Sequence, residues 1–243
     1  MLDVHPARHA AQGWRDFFVH IATIAIGLLI AIGLEQSIEW LHRKHRVAEA
    51  REAIARERDL NQQEFAKTTE RFRRETKRFQ TNLSVFVYLQ QHPGAPPQAW
   101  PGAISWHTYV TTFSTAAWVT AQQGGVTALM PPPEVRDAER LYFRLGVVQA
   151  ASADRLRAIS AARRYTALDS DPSRLTPAQL ADEIVLAEAV LIAHYRLGGD
   201  MRNLHSVYPD FVPFPDDDEL LPIVHEPPLS EEERRERGAA RAR

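Results

Sequence analysis

Cysteine is absent from the 243-residue chain, which excludes disulfides, thiolate metal sites and thiol catalysis together. An excess of one charge is lacking too. Lys and Arg number 29 against 31 Asp and Glu, a formal net charge of -2, so no global field attracts nucleic acid and no such partner is expected. Glycine-rich phosphate loops, the His-Glu-x-x-His zinc pattern and the Gly-x-Ser-x-Gly nucleophile elbow are all missing. These absences argue against several large enzyme classes but exclude no enzyme with scattered catalytic residues; no catalytic residue, metal or cofactor is assigned. Between positions 38 and 91 there is neither glycine nor proline, so nothing in that stretch stops a helix.

What is present begins with residues 17–34, FFVHIATIAIGLLIAIGL, an uncharged run in which only His20 and Thr23 carry polar side-chain groups. At about 1.5 Å per residue it covers roughly 27 Å, close to the hydrocarbon thickness of a bilayer. Trp14 and Trp40 stand at its two ends as interfacial aromatics beside charged residues. Two other readings exist. A soluble core helix would keep a polar edge, and this run has none for about five turns. A cleaved signal peptide would use Ala31 or Gly33 before the cut, but the run exceeds a signal h-region of ~7–15 residues and continues without a turn-former. A retained anchor is the expectation. Thr23, Gly27 and Ala31 recur every four residues and form a small-residue strip suited to a homodimer contact in the membrane, with Leu28, Leu29, Ile30 and Ile32 turned to lipid. His20, a titratable group about one turn inside the hydrocarbon, is the candidate intramembrane functional residue.

The domain reading follows the chain: 1–13 a short polar tail, 14–41 the membrane helix with its flanks, 42–206 a helical bundle whose first helix runs to about 91, and 207–243 a Pro-rich, acidic tail with a short charged terminal helix. The pairs Glu39–Arg43, Glu52–Arg56 and Glu70–Arg74 place each acid four residues before its base, which supports the long helix. Phe65, Phe72, Phe79 and Phe86 recur every seven residues and predict a stripe docked on the protein's own later helices. Thr68, Glu75 and Asn82, three residues after the first three of them, would leave a two-stranded coiled coil with a half-polar seam. Val47, Ala50 and Ile54 form a thinner stripe for a partner helix.

Residues 92–102 are a Pro/Gly loop that reverses the chain. Positions 104–123 are expected as a helix stopped by Gly124-Gly125. A second long helical pattern follows Pro131-Pro132-Pro133. Thr176-Pro177-Ala178-Gln179 is a capping box with proline in the first turn, opening a helix expected to reach about His205 with a kink at Gly198-Gly199. Residues 208–228 are expected to drape over the surface, and 230–233 form another capping box. The fold class is all-α: a single N-terminal transmembrane helix continuing into a long helix that packs against an antiparallel helical bundle.

Other titratable groups have bland readings. Glu35, Glu39 and His42 share a face at the membrane edge and read as an interfacial girdle. His194 and His205 read as satisfied bundle histidines, with no acid or nucleophile at a fixed spacing. The acidic run 216–219 lacks the alternation of a calcium loop, and Asn82-Leu83-Ser84 matches a glycosylation acceptor but lies mid-helix.

The block 18–46, with Gly-Leu-Leu-Ile-Ala-Ile-Gly-Leu-Glu-Gln and Trp40, resembles a group of small uncharacterised bacterial membrane proteins with an N-terminal anchor and a helical domain of unknown function. Residues 112–130, with Ser114, Trp118 and Gly124-Gly125, are similar to that group's second block. The resemblance implies architecture and a bacterial inner (cytoplasmic) membrane location, and no activity. On orientation two arguments oppose each other. Arg43, Lys44, Arg46 and Arg51 outnumber Arg8 and Arg15, which by the positive-inside rule puts the large domain in the cytoplasm. The group's basic N-terminus implies the reverse, and the large domain is expected outside the cytoplasm, against the charge count. The functional expectation is a non-enzymatic interaction or scaffold module with the lipid bilayer, a second copy and an unidentified protein as partners. The alternatives are a sensor or regulatory subunit binding a small ligand, and a membrane-attached enzyme.

Overall fold

A computed structural model describes residues 13–165 and 171–215. The acidic run 216–219 and the residues expected to form a charged terminal helix lie outside the described residues. Among those described there are four α-helices and no strand: α1 (Trp14–Gln91), α2 (Ala116–Gln123), α3 (Pro132–Ala162) and α4 (Pro177–Val207). The 78 residues of α1 make one uninterrupted rod, about 115 Å long. Its apolar 18-residue window is long enough to cross a membrane and is 0% buried by the rest of the protein. From Val47 onward the same helix becomes the central lane of the bundle, its Phe65, Phe72, Phe79 and Phe86 all fully buried. The pairs Glu39–Arg43, Glu52–Arg56 and Glu70–Arg74 form at 2.9, 2.6 and 3.0 Å.

α3 ascends packed mainly on α4 and reaches α1 through long side chains, at its base by Arg51 to Glu134 (2.7 Å) and higher up by Glu75 to Arg155 (2.5 Å). α4 opens with the Thr176/Gln179 capping box and descends, passing Thr76 at His194, Phe72 at Gly198 and Arg58 at Tyr208. It is unbroken through Gly198-Gly199. Gly198 serves close approach: a Cβ there would lie 2.8 Å from Phe72 Cζ, so the absent side chain lets α4 settle against the Phe stripe. Beyond α4, Tyr208, Phe211 and Phe214 are buried at 5, 0 and 6% exposure. The start of the expected surface segment thus belongs to the core, because its aromatics cap the Phe65–Phe72 cluster.

One expected helix is corrected. Residues 104–115 are extended, and only Ala116–Gln123 is helical. Chain length requires this. Ser105 is held at Asn82 and Gly124 at Arg46, levels 36 helical residues or about 54 Å apart, whereas the 19 intervening steps as a helix would span only about 28 Å. The composition agrees, since Thr108, Val110, Thr111, Thr112 and Thr115 are β-branched and the aromatics Trp106, Tyr109 and Phe113 lie among them. The architecture is an up-down-up-down bundle whose second lane is mostly an extended strap. The Val47, Ala50, Ile54 stripe needs no partner helix either: it is covered by Val126 and Met130, around the 3-10 turn Val126–Leu129, and by Val135.

Candidate functional site

A strap of non-repetitive backbone laid on a bundle with its outer side exposed needs partners for each N–H and C=O that it turns inward. The bundle supplies them from side chains. Asn82 takes both backbone groups of Ser105: its Nδ2 donates to the carbonyl at 2.9 Å and its Oδ1 accepts the N–H at 2.8 Å. Asn61 treats Ser114 identically, at 2.9 and 2.8 Å, so each Asn amide imitates a neighbouring strand. Between them Glu75 Oε1 accepts from Thr108 Oγ1 (2.8 Å) and Tyr109 N (3.1 Å), and the Thr68 and Thr111 hydroxyls meet at 3.3 Å. From α3, Ser152 Oγ accepts from Thr111 N and Gln149 Oε1 from Phe113 N.

The partners fall in a strict register, 82 with 105, 75 with 108, 68 with 111 and 61 with 114. Seven helical residues rise about 10.5 Å and three extended residues about 10 Å. A heptad of polar side chains can therefore track every third residue of an antiparallel extended chain, and each of those residues here is Ser or Thr. The half-polar companions of the Phe stripe are this ladder. Below it Glu57 accepts from Ser114 Oγ (2.6 Å), Ala117 N (2.9 Å), Trp118 N (3.4 Å) and Tyr142 OH (2.7 Å). It thereby caps the N-terminus of α2 from another helix, satisfying donors that Thr115 leaves open. Burial would raise the Glu57 carboxyl, but these four bonds outweigh it and hold the group below the ordinary carboxylate range.

At the centre Arg155 bridges the elements. One guanidinium nitrogen donates to Glu75 Oε2 at 2.5 Å and lies 3.3 Å from His194 Nδ1, and the other donates to the Tyr109 carbonyl at 2.8 Å. Because the guanidinium only donates, His194 Nδ1 accepts and its proton sits on Nε2. Nε2 then donates to Thr76 Oγ1 (2.9 Å), which donates to the Phe72 carbonyl (2.9 Å). Burial, helped by the Arg155 charge, depresses His194 to about 3, so the ring is neutral and stacks on Phe72 at 3.8 Å. The reading of His194 as a satisfied core histidine agrees with this geometry. Glu183 differs: it is fully buried, Oε1 accepts from Tyr165 N at 3.2 Å and Oε2 has no hydrogen-bond partner. Burial chiefly, with Asp182 adding repulsion, pushes it up to about 7 against the opposing Tyr165 N–H and Arg164.

These buried groups bond strap, helix ends and one another, and no group of three or more His, Asp or Glu able to hold a metal occurs among the described residues. A recess of about 280 Å³ lies between α1 and α3 where α4 has ended, with Ile54, Met130, Ala138 and Leu141 in its wall and the Arg51–Glu134 pair at its rim.

The sequence-predicted residues lie apart from this ladder. Trp14 and Trp40 are 77 and 55% exposed on α1, with Lys44 Nζ 3.9 Å above the Trp40 ring. His20 Nδ1 bonds the Asp16 carbonyl at 2.7 Å, and Thr23 Oγ1 the Val19 carbonyl at 2.8 Å, each one turn back in its own helix. Gly27 has open space around it, and Ala31 is exposed. His205 donates to the Phe211 carbonyl at 2.7 Å. In the sequence the ladder shows only as a polar period of seven beside the Phe stripe and as Ser/Thr at every third position from 105 to 114, two signals that no local rule joins. No protein-family model, curated protein or solved structure matches the chain.

Proposed function

We propose that this protein is a membrane-anchored, non-enzymatic interaction or scaffold module of the bacterial inner membrane, akin to the small bacterial anchor proteins its N-terminal block resembles. One observation carries the reading: the membrane-length apolar window and the central lane of the bundle are the same unbroken helix, Trp14–Gln91. Such a rod holds the bundle at a set height and angle to the bilayer. The buried Glu57, Glu75, Arg155 and His194 support a structural use, since each is bonded within the fold. Thr23, Gly27 and Ala31 supply a strip for pairing in the bilayer, and the large domain lies outside the cytoplasm. Membrane fractionation tests the anchor. Full-length protein should stay in the pellet at alkaline pH and be released by deleting residues 1–41, and reporters at both termini give the side. Full-length protein in the alkaline supernatant would refute the reading. The recess between α1 and α3 favours one second reading, a ligand-responsive regulatory subunit, because a small apolar ligand there would bear directly on the rod.

A further inference from the structure

Between the bilayer and the bundle, α1 runs as a bare stalk, every residue from 35 to 46 being exposed. An isolated helix in water is marginal without a packed face. The apolar residues of 35–48 are Ile38, Trp40, Leu41, Val47 and Ala48. Trp40 carries Lys44 on its ring and Val47 is buried against the bundle. The remaining three lie on one side at heptad spacing with His45: Ile38, Leu41, His45, Ala48. Ile38 and Leu41 are 58 and 63% exposed. Leu41 stands about 10 Å beyond Leu34, outside the hydrocarbon and level with the interfacial Trp40.

The same alternation of three and four continues into the membrane through Leu34, Ala31, Gly27 and Ile24, giving more than three heptads in all. At about 100° per residue this seam points roughly opposite to Val47, Ala50 and Ile54, which face the bundle. Two copies joined along it would carry their bundles on the outside. We propose that the seam from Ile24 to Ala48 is a parallel, left-handed two-stranded coiled coil between two copies of this chain, beginning in the bilayer and ending where α1 enters its bundle.

Charge supports a second copy in parallel. In that register Lys44 meets Glu49 of the other helix, an attractive flanking pair, and Ser37 meets His42. One heptad further Arg51 would meet Arg56, and there Arg51 is instead turned to Glu134 of its own bundle at 2.7 Å, so the seam stops. Gly27 and Ala31 serve this seam as well as the four-residue strip, but the strip alone lets the helices diverge outside the membrane, whereas the seam keeps them together to Ala48.

The inference rests on the anchor reading and is tested separately from it. The chain has no cysteine, so single cysteines at each position from 36 to 49 of the full-length protein can be oxidised in native membranes and scored for disulfide dimers. The expected profile has maxima at Ile38, Leu41, His45 and Ala48 and minima at Glu39, Arg43 and Arg46, and Leu41→Glu in the Ala48→Cys background should abolish the dimer. A flat profile, maxima on another face, no dimer at any position, or a dimer that survives Leu41→Glu would each overturn the seam. A protein found in the alkaline pellet but giving any of those results would leave the anchor reading standing.

Discussion

Arg155→Met removes the cation at the centre of the bundle while keeping a side chain of similar length. The pair it breaks is buried on both sides, with side-chain exposures of 2 and 3%. The change leaves the Glu75 carboxylate in the core with only Thr108 and Tyr109 as donors, and takes the partner from the Tyr109 carbonyl and from His194 Nδ1. Breaking a buried pair from one side costs about 3–5 kcal/mol. For a domain of this size that corresponds to a melting temperature lower by roughly 10 °C, at ~2–4 °C per kcal/mol. The measurement is thermal unfolding of the full-length protein in detergent, followed by far-ultraviolet circular dichroism. Glu75→Gln with Arg155→Met should be milder than the sum of the single changes, because the stranded charge is gone. An Arg155→Met melt within a degree or two of the parent would refute the argument that this pair closes the ladder.

Phe72→Ala should cost about 3–5 kcal/mol, since the ring is fully buried between His194 and Phe214; an unchanged melt would mean the stripe does not pack in the native protein. Gly198→Ala should destabilise by about 1–3 kcal/mol, because the new methyl meets the Phe72 ring at 2.8 Å, and Phe72→Leu should recover part of the loss. Glu183 sets a pH dependence. Its folded value of about 7 lies above the ordinary 4.5, so its favourable contribution is complete below the ordinary value and is lost as pH rises through about 7. His194 acts oppositely, its depressed value of about 3 making stability fall on acidification below the ordinary 6.5. The difference in stability between Glu183→Gln and the parent should therefore grow in favour of the variant from pH 5 to pH 8, by up to about 3 kcal/mol; a difference independent of pH would show that Glu183 is solvated.

Much of the architecture was legible along the chain because it depends on local rules. An uncharged run of membrane length, a stretch without glycine or proline, paired charges four apart, the long helical pattern after Pro131-Pro132-Pro133 and a Thr-Pro-Ala-Gln capping box each act within one helix, and they yielded α1, α3, α4 and the membrane-length window. The Phe period of seven was also readable as a face to be buried. The strap was not. Locally, residues 104–123 show a broad apolar side compatible with helix, and they are extended because their two ends are held about 54 Å apart on a rigid neighbour, a constraint that exists only once α1, α3 and α4 have met.

The polar residues show the same division. Glu57, Asn61, Thr68, Glu75 and Asn82 look in sequence like a poor coiled-coil seam, since nothing near them along the chain says what they face. Their partners lie 23 to 85 residues away. By itself, the sequence determined that a helix runs from a membrane-length segment into a bundle, because hydrophobic length and helix signals are properties of neighbouring residues. Only the tertiary structure decided that the second lane is a strap read by a heptad of polar side chains, because matching a rise of seven helical residues to three extended ones is a relation between two segments and belongs to neither alone.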